Sequence, residues 1–344
     1  MRRDAKMPSR ADRHGCRIVN RRDALRVGAA TVLWPWGTRS AMADGESAPA
    51  HVPTMNATSK RIGPLGLELR RAHPILQGGA LAPVLLIPGA YHGAWAFEDN
   101  LMPYLARQGF DVYAMSLRGH GTSGGVDRVE DAGFEDYVTD VLTVMAELPE
   151  APILVGHSLG GLLARKVAER KALRAVVLMA SPTPRSMREG AMRLIRQFPL
   201  PMVKFALTGN PDHVYRDVNV VRGLLFGGSR HPEVDATIQR MLAERESRRI
   251  IADVQTLEFA PNRVPLLAIG GDADIGVPVS ALQEAADFYG GSVKVLPGAA
   301  HEFFLMHGWE SAAGCIVDWL QRGVGTPIRG ARVHSEIRQQ PTGP

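Results

Sequence analysis

The sequence predicts an α/β fold: a mostly parallel sheet flanked by helices, with a helical cap inserted before the strand that carries a candidate acid. Three observations carry this expectation. Apolar runs of four to six residues recur without polar alternation, as strands buried on both faces require. Amphipathic stretches at helical spacing separate the runs, and strand–helix alternation builds parallel sheets covered by helices. One long interval, residues 181–264, breaks the alternation with helix-like text and no convincing strand.

Strands are expected over 67–72, 84–88, 111–116, 153–156, 175–179, 266–270 and 292–296. Helical patterns cover 100–108, 134–148, 159–170, 279–289 and 304–322. Within the interruption, "SMREGAMRLIRQFPLPMVKFALTGN" and "DATIQRMLAERESRRII" read as helices with breakers between them, a cap over one edge of the sheet. The core therefore spans 61–180 and 265–322, with the cap at 181–264. Residues 44–60, rich in Ala, Pro, Ser and Thr, read as a linker, and the weakly apolar 323–344 as a disordered tail.

A chain of 344 residues with 45% hydrophobic and 22% charged content has the balance of a soluble globular protein. Its formal charge of +5 is unevenly placed: residues 1–43 hold ten Lys/Arg against Asp4, Asp12 and Asp23. The remainder is slightly acidic, which removes support for nucleic acid as a partner. The segment "NRRDALRVGAATVLWPWGTRSAMADG" combines paired Arg21 and Arg22, a weakly apolar stretch and a small-residue site ending Ala41-Met42-Ala43. It resembles a twin-arginine export signal cleaved after Ala43, departing from the usual pattern at Asp23-Ala24 and Arg26. The resemblance implies a precursor that engages the twin-arginine export machinery and a bacterial protein exported to the periplasm or secreted. The apolar stretch is too short, and too interrupted by Pro35 and Gly37, for a stable membrane span. Cys16 falls in this leader, so Cys315 is expected alone in the mature chain, a small core residue without an intrachain disulfide.

The chemistry concentrates at "ILVGHSLGGLLARKVAER", residues 153–170. Gly156-His157-Ser158-Leu159-Gly160 fits G-x-S-x-G between a buried strand and a helix, the nucleophile-elbow context. Side chains two positions either side of the strained turn would collide, and glycine removes them. A serine hydroxyl needs a base, and histidine suits that role. After the cap, "PLLAIGGDADIGVP" ends a strand and offers Asp272 and Asp274; "SVKVLPGAAHEFF" then ends a strand and offers His301. Both lie at the carboxyl edge of the sheet, where open α/β folds bind ligands. His307 is the one rival nearby, within a helical pattern.

On these residues the chain resembles an α/β-hydrolase of the serine esterase or lipase kind over about residues 61–322. The resemblance implies Ser158 as nucleophile, His301 as base and Asp274 as acid, through the G-x-x-D-x-x-x-P pattern of residues 271–278, leaving Asp272 to brace the loop. It further implies an oxyanion hole formed by the N–H groups of Leu159 and Ala90, the latter in "IPGAYHGAW". The family often has His-Gly where this chain has Pro88-Gly89, so what braces that loop is left open. Trp95 is read as packing and His120, in "LRGHGTSGG", as structural. No H-E-x-x-H, paired Cys/His spacing or Gly-rich phosphate loop occurs, so no metal and no cofactor is expected.

The expected function is hydrolysis of small or apolar carboxylic esters through an acyl-enzyme. The same triad also serves lactonases, thioesterases, amidases, carbon–carbon bond hydrolases, acyltransferases and cofactor-free haloperoxidases, while some relatives are ligand receptors. Met187, Met192, Leu194, Ile195, Phe198, Leu200, Met202, Val203, Phe205 and Leu207 form an apolar cap series that either lines a pocket or packs on the sheet domain.

Overall fold

All seven predicted runs form strands in the computed structural model, which describes residues 12–18, 58–75 and 81–323. The strands are β1 (Arg17–Ile18), β2 (Thr58–Ile62), β3 (Leu67–Ala72), β4 (Leu81–Ile87), β5 (Phe110–Met115), β6 (Ile153–His157), β7 (Ala175–Met179), β8 (Leu266–Gly271) and β9 (Ser292–Leu296). They join one sheet in the order β1-β9-β8-β7-β6-β4-β5-β3-β2. Pairings from β5 through β9 are parallel, and those of β1, β2 and β3 antiparallel.

Alternation along each strand divides the core between two faces. Val84, Leu86, Val155 and Val177 point to one face, against Leu101 and Leu105 of α1 (Leu101–Arg107). Leu85, Ile87, Leu154 and Val176 point to the other, under α2 (Phe134–Met145) and α3 (Leu159–Ala168). Strands β5, β6, β7 and β8 are buried at every position, which is why their sequences carry no polar alternation.

Residues between β7 and β8 form six helices and no strand: α4 (Pro184–Gln197), α5 (Pro199–Thr208), α6 (Asp212–Tyr215), α7 (Val218–Leu225), α8 (Pro232–Ala243) and α9 (Ile250–Gln255). Thr183 and Ser186 exchange backbone-to-hydroxyl bonds of 2.9 and 3.1 Å at the start of α4, with Pro184 in the first helical turn. Pro199 supplies the break between α4 and α5. After β8 come α10 (Val279–Tyr289) on the α2–α3 face and α11 (Trp309–Gly323) on the α1 face.

Two findings depart from the sequence expectations. β2 begins at Thr58, inside the stretch read as linker. Residues 58–61 are exposed on an edge strand held by backbone pairing to β3, so they show no apolar signal. The second departure concerns Cys315. It is buried in α11 and disulfide-bonded to Cys16, with Cα atoms 6.6 Å apart. The expectation counted cysteines after removal of residues 1–43. In the whole chain residues 12–18 lie along the free edge of β9, tied there by β1 and by the Lys294–Asp12 and Arg13–Asp318 ion pairs. Arg21, Arg22, the site at Ala43 and residues 324–344 lie outside the described residues.

Candidate active site

Ser158 occupies the turn from β6 into α3 at φ +50° and ψ −115°, a conformation L-residues rarely adopt. Its N–H donates to the Met179 carbonyl at 2.8 Å, pinning the turn to β7. A Cβ at position 160 would run into the carbonyls of Ile87 and Pro88, which accounts for the glycine. The hydroxyl therefore stands at the head of α3, where the helix dipole favours developing negative charge.

Asp274 and His301 converge from the loops after β8 and β9. His301 Nδ1 and Asp274 Oδ2 are 2.7 Å apart, and both residues are buried. The other carboxylate oxygen, Oδ1, accepts from the N–H groups of Gly276 at 2.8 Å and Val277 at 2.9 Å, so the loop backbone fixes which oxygen meets the imidazole. Asp272 is exposed and accepts from Gly298 N–H at 2.6 Å, bridging two loops. Asp274, not Asp272, is the partner of His301.

His301 stands against the elbow: its ring centroid is 5.0 Å from that of His157, whose Nε2 is 3.3 Å from the His301 carbonyl. Among the described residues Ser158 Oγ forms no hydrogen bond, so the structure joins base and acid but leaves the serine–histidine bond unmade. Burial disfavours the His301 imidazolium, but the Asp274 carboxylate outweighs it and raises the pKa to about 9. His307 is exposed in a turn before α11, not in a helix; Gly308, at φ +83°, interrupts the helical pattern there.

Sequence reasoning passed over the groups behind the imidazole. Glu302 Oε2 lies 3.6 Å from His92 Nε2 and 3.7 Å from His157 Nε2, all three side chains buried. Burial raises the Glu302 carboxyl above its usual range, and burial, with His301 and His92 nearby, holds His157 well below the usual imidazole value. His157, His301 and Glu302 bring potential metal donors within 4.8 Å of one another, with His301 Nδ1 already committed to Asp274. Asp12, Cys16 and Cys315 form a similar grouping, its two sulfurs joined in the disulfide.

The loop after β4 brings Ala90 beside the elbow. A Cβ on Gly89 would sit 2.8 Å from His157 Nδ1 and 3.2 Å from Ser158 Cβ, so glycine permits the close approach. Bracing comes from the cap. Tyr91, at φ +60°, donates its N–H to Glu246 Oε2 at 3.2 Å, and its hydroxyl donates to Asp212 Oδ1 at 3.0 Å. Glu246 is buried and also accepts from Tyr137 Oη at 2.6 Å and Ser247 N–H at 2.7 Å, with His120 Nε2 at 3.4 Å. Burial opposes its charge, yet His120 and these donors hold its carboxyl below the usual range. Glu244 accepts from Trp95 Nε1 at 2.8 Å and from Gly121 N–H at 3.0 Å. Trp95 and His120 are thus supports beneath the cap.

A cavity of about 70 Å³ opens at Ser158, bounded by Ala90, Leu159, Met187, Tyr215, Glu246, Ile250, Ile251 and Val254. Of the ten apolar cap residues predicted to line a pocket or pack inward, only Met187 reaches it. Leu194, Phe198, Met202 and Phe205 pack on the core. Met192, Ile195, Leu200, Val203 and Leu207 are exposed. The apolar wall comes instead from α9.

Residues 84–314 match the Alpha/beta hydrolase family, and the chain belongs to that family. Among curated relatives, the "Carbendazim hydrolyzing esterase" of Nocardioides sp. is 33% identical over 107 residues, 30% of this chain and 43% of that protein. The chain thus spans less than half of that relative. The "Monoacylglycerol lipase" of Mycolicibacterium smegmatis is 28% identical over 211 residues, 57% of this chain and 72% of that protein. An esterase from Rhodococcus sp. shares the fold with a TM-score of 0.59 at 20% identity, covering 79% of this chain and 100% of that one.

Proposed function

We propose that the chain is a serine hydrolase of carboxylic esters with small or apolar acyl groups. The observation that carries this reading is the buried His301–Asp274 pair at 2.7 Å beside a strained serine turn. Ser158 Oγ attacks the ester carbonyl carbon as His301 Nε2 takes its proton; the carbonyl electrons move to oxygen, held by the N–H groups of Ala90 and Leu159. Collapse expels the alkoxide, which leaves as the alcohol with the proton returned by His301. Water activated by the same imidazole then attacks the acyl-enzyme and releases the acid. Asp274 holds Nδ1–H and steadies the imidazolium throughout.

The small apolar cavity supports short or compact acyl groups, and the esterase and lipase names among the relatives support ester hydrolysis. p-Nitrophenyl esters of graded acyl length test this directly. Turnover is expected to be highest for short chains and to fall by orders of magnitude in Ser158→Ala; a rate that survives that substitution overturns the reading. We further propose that the leader directs export through the twin-arginine route and is removed after Ala43, supported by its arginine pair and small-residue site.

A further inference from the structure

Helix α5 is apolar on the side that packs inward and on the side that faces out, and α4, otherwise rich in charge, adds two exposed apolar side chains to the outer side. Inward go Leu194, Phe198, Met202 and Phe205. Outward, at spacings of three to five, come Met192, Ile195, Leu200, Val203 and Leu207, between 41% and 81% exposed. These are five of the nine large hydrophobics exposed among the described residues, gathered within sixteen consecutive positions. A helix apolar all round is ordinarily covered, and a cluster of exposed apolar side chains marks a contact surface.

The charges around this stripe choose the occupant. Residues 184–208 hold Arg185, Arg188, Arg193, Arg196 and Lys204 against Glu189 alone. Arg185 is paired with Glu189, while Arg193, Arg196 and Lys204 form no ion pair among the described residues. A surface that joins exposed aliphatic side chains to an excess of cations matches the headgroup boundary of an anionic bilayer: apolar groups enter the acyl region and cations meet lipid phosphates. Self-association of this face would instead bring like charges together.

We infer that the outer face of α4–α5 docks the protein on anionic lipid membranes. The docked helix is the one whose inner side, at Met187, lines the cavity at Ser158, so the cap and not the opposite sheet edge meets the bilayer. The inference does not depend on the ester-hydrolase reading.

The test is co-sedimentation of the full chain with phosphatidylglycerol–phosphatidylcholine vesicles and with pure phosphatidylcholine vesicles. Partitioning is expected to be at least about tenfold stronger on the anionic vesicles and to weaken at high salt. The double variant Leu200→Glu/Leu207→Glu should lose it about tenfold or more. Both positions are exposed, Leu207 by 81%, so soluble-ester turnover should be unchanged. The milder Val203→Ser/Leu207→Ser should weaken docking in the same direction. Absence of binding to the anionic vesicles overturns the inference. Undiminished binding by the variants assigns it to the basic leader and does the same. A dimer that forms without lipid and dissociates in the double variant gives the face to a second copy, again against docking.

Discussion

Residue by residue, the account turns on one imidazole. With its pKa raised to about 9, His301 is mostly protonated at neutral pH, and in the proposed mechanism only the neutral form accepts the serine proton. We expect kcat/KM to climb about tenfold per pH unit from 7 toward 9 and then level off; a plateau already reached at pH 7 would contradict the raised value. Stability runs the other way. The folded-state pKa lies above the unfolded one, so the stabilisation is complete below about 6.5 and is lost as pH rises through about 9. Asp274→Asn should lower kcat by about 10⁴-fold, because the carboxylate sets the imidazole tautomer. Asp272→Asn, which disturbs only a loop bond to Gly298, should leave kcat within a few-fold. Measuring kcat for the two variants side by side decides the acid. Ser158, Asp274 and His301 could be singled out as candidates because each sits just after a recognisable strand and the elbow spacing is local; the pairing of His301 with Asp274 is what the structure adds. Glu302 adjoins His301 yet was silent, since its partners His92 and His157 are far away in sequence.

At the scale of elements, the cap is a structural partner of the loop that carries Ala90. Glu246 reaches across 155 positions to the Tyr91 N–H while also meeting His120 and Tyr137, so it ties the segment between α8 and α9 to the β4 loop and to α2. Glu246→Ala would leave His120 buried without its counter-charge, at a cost of about 3–5 kcal/mol in stability. Glu246→Gln keeps the shape and should lower kcat more than it changes KM; urea titration and steady-state kinetics check the pair, and wild-type kcat in the Gln variant would remove Glu246 from loop positioning. The helices were legible because burial on one face writes a period into the sequence, and the central strands because burial on both faces leaves short unbroken apolar runs. Edge strands β1 and β2 were not: they pair through backbone, and their side chains are polar or few. The direction in which each cap side chain points was equally hidden, because apolar residues of this stretch occur both inward and outward.

For the molecule as a whole, the proposed cleavage of a leader and the disulfide stand in opposition. Removal after Ala43 takes away Cys16 and β1, leaving Cys315 as a buried thiol and the edge of β9 without its partner. Intact-mass and thiol analysis of protein recovered from the periplasm should therefore find a chain beginning at Asp44 with one free cysteine. A full-length chain without free thiol would show that residues 12–18 stay in place and that the leader is not removed. The cysteine pairing escaped the sequence reading because it depends on whether the first residues remain, a matter of processing and not of local pattern. Whether the buried His301–Asp274 pair makes the hydroxyl of Ser158 reactive is decided by a fluorophosphonate probe followed by peptide mass mapping. A single adduct on Ser158 is expected, formed at a rate that collapses in His301→Ala. An adduct on another residue, none at all, or undiminished labelling without the imidazole would contradict it.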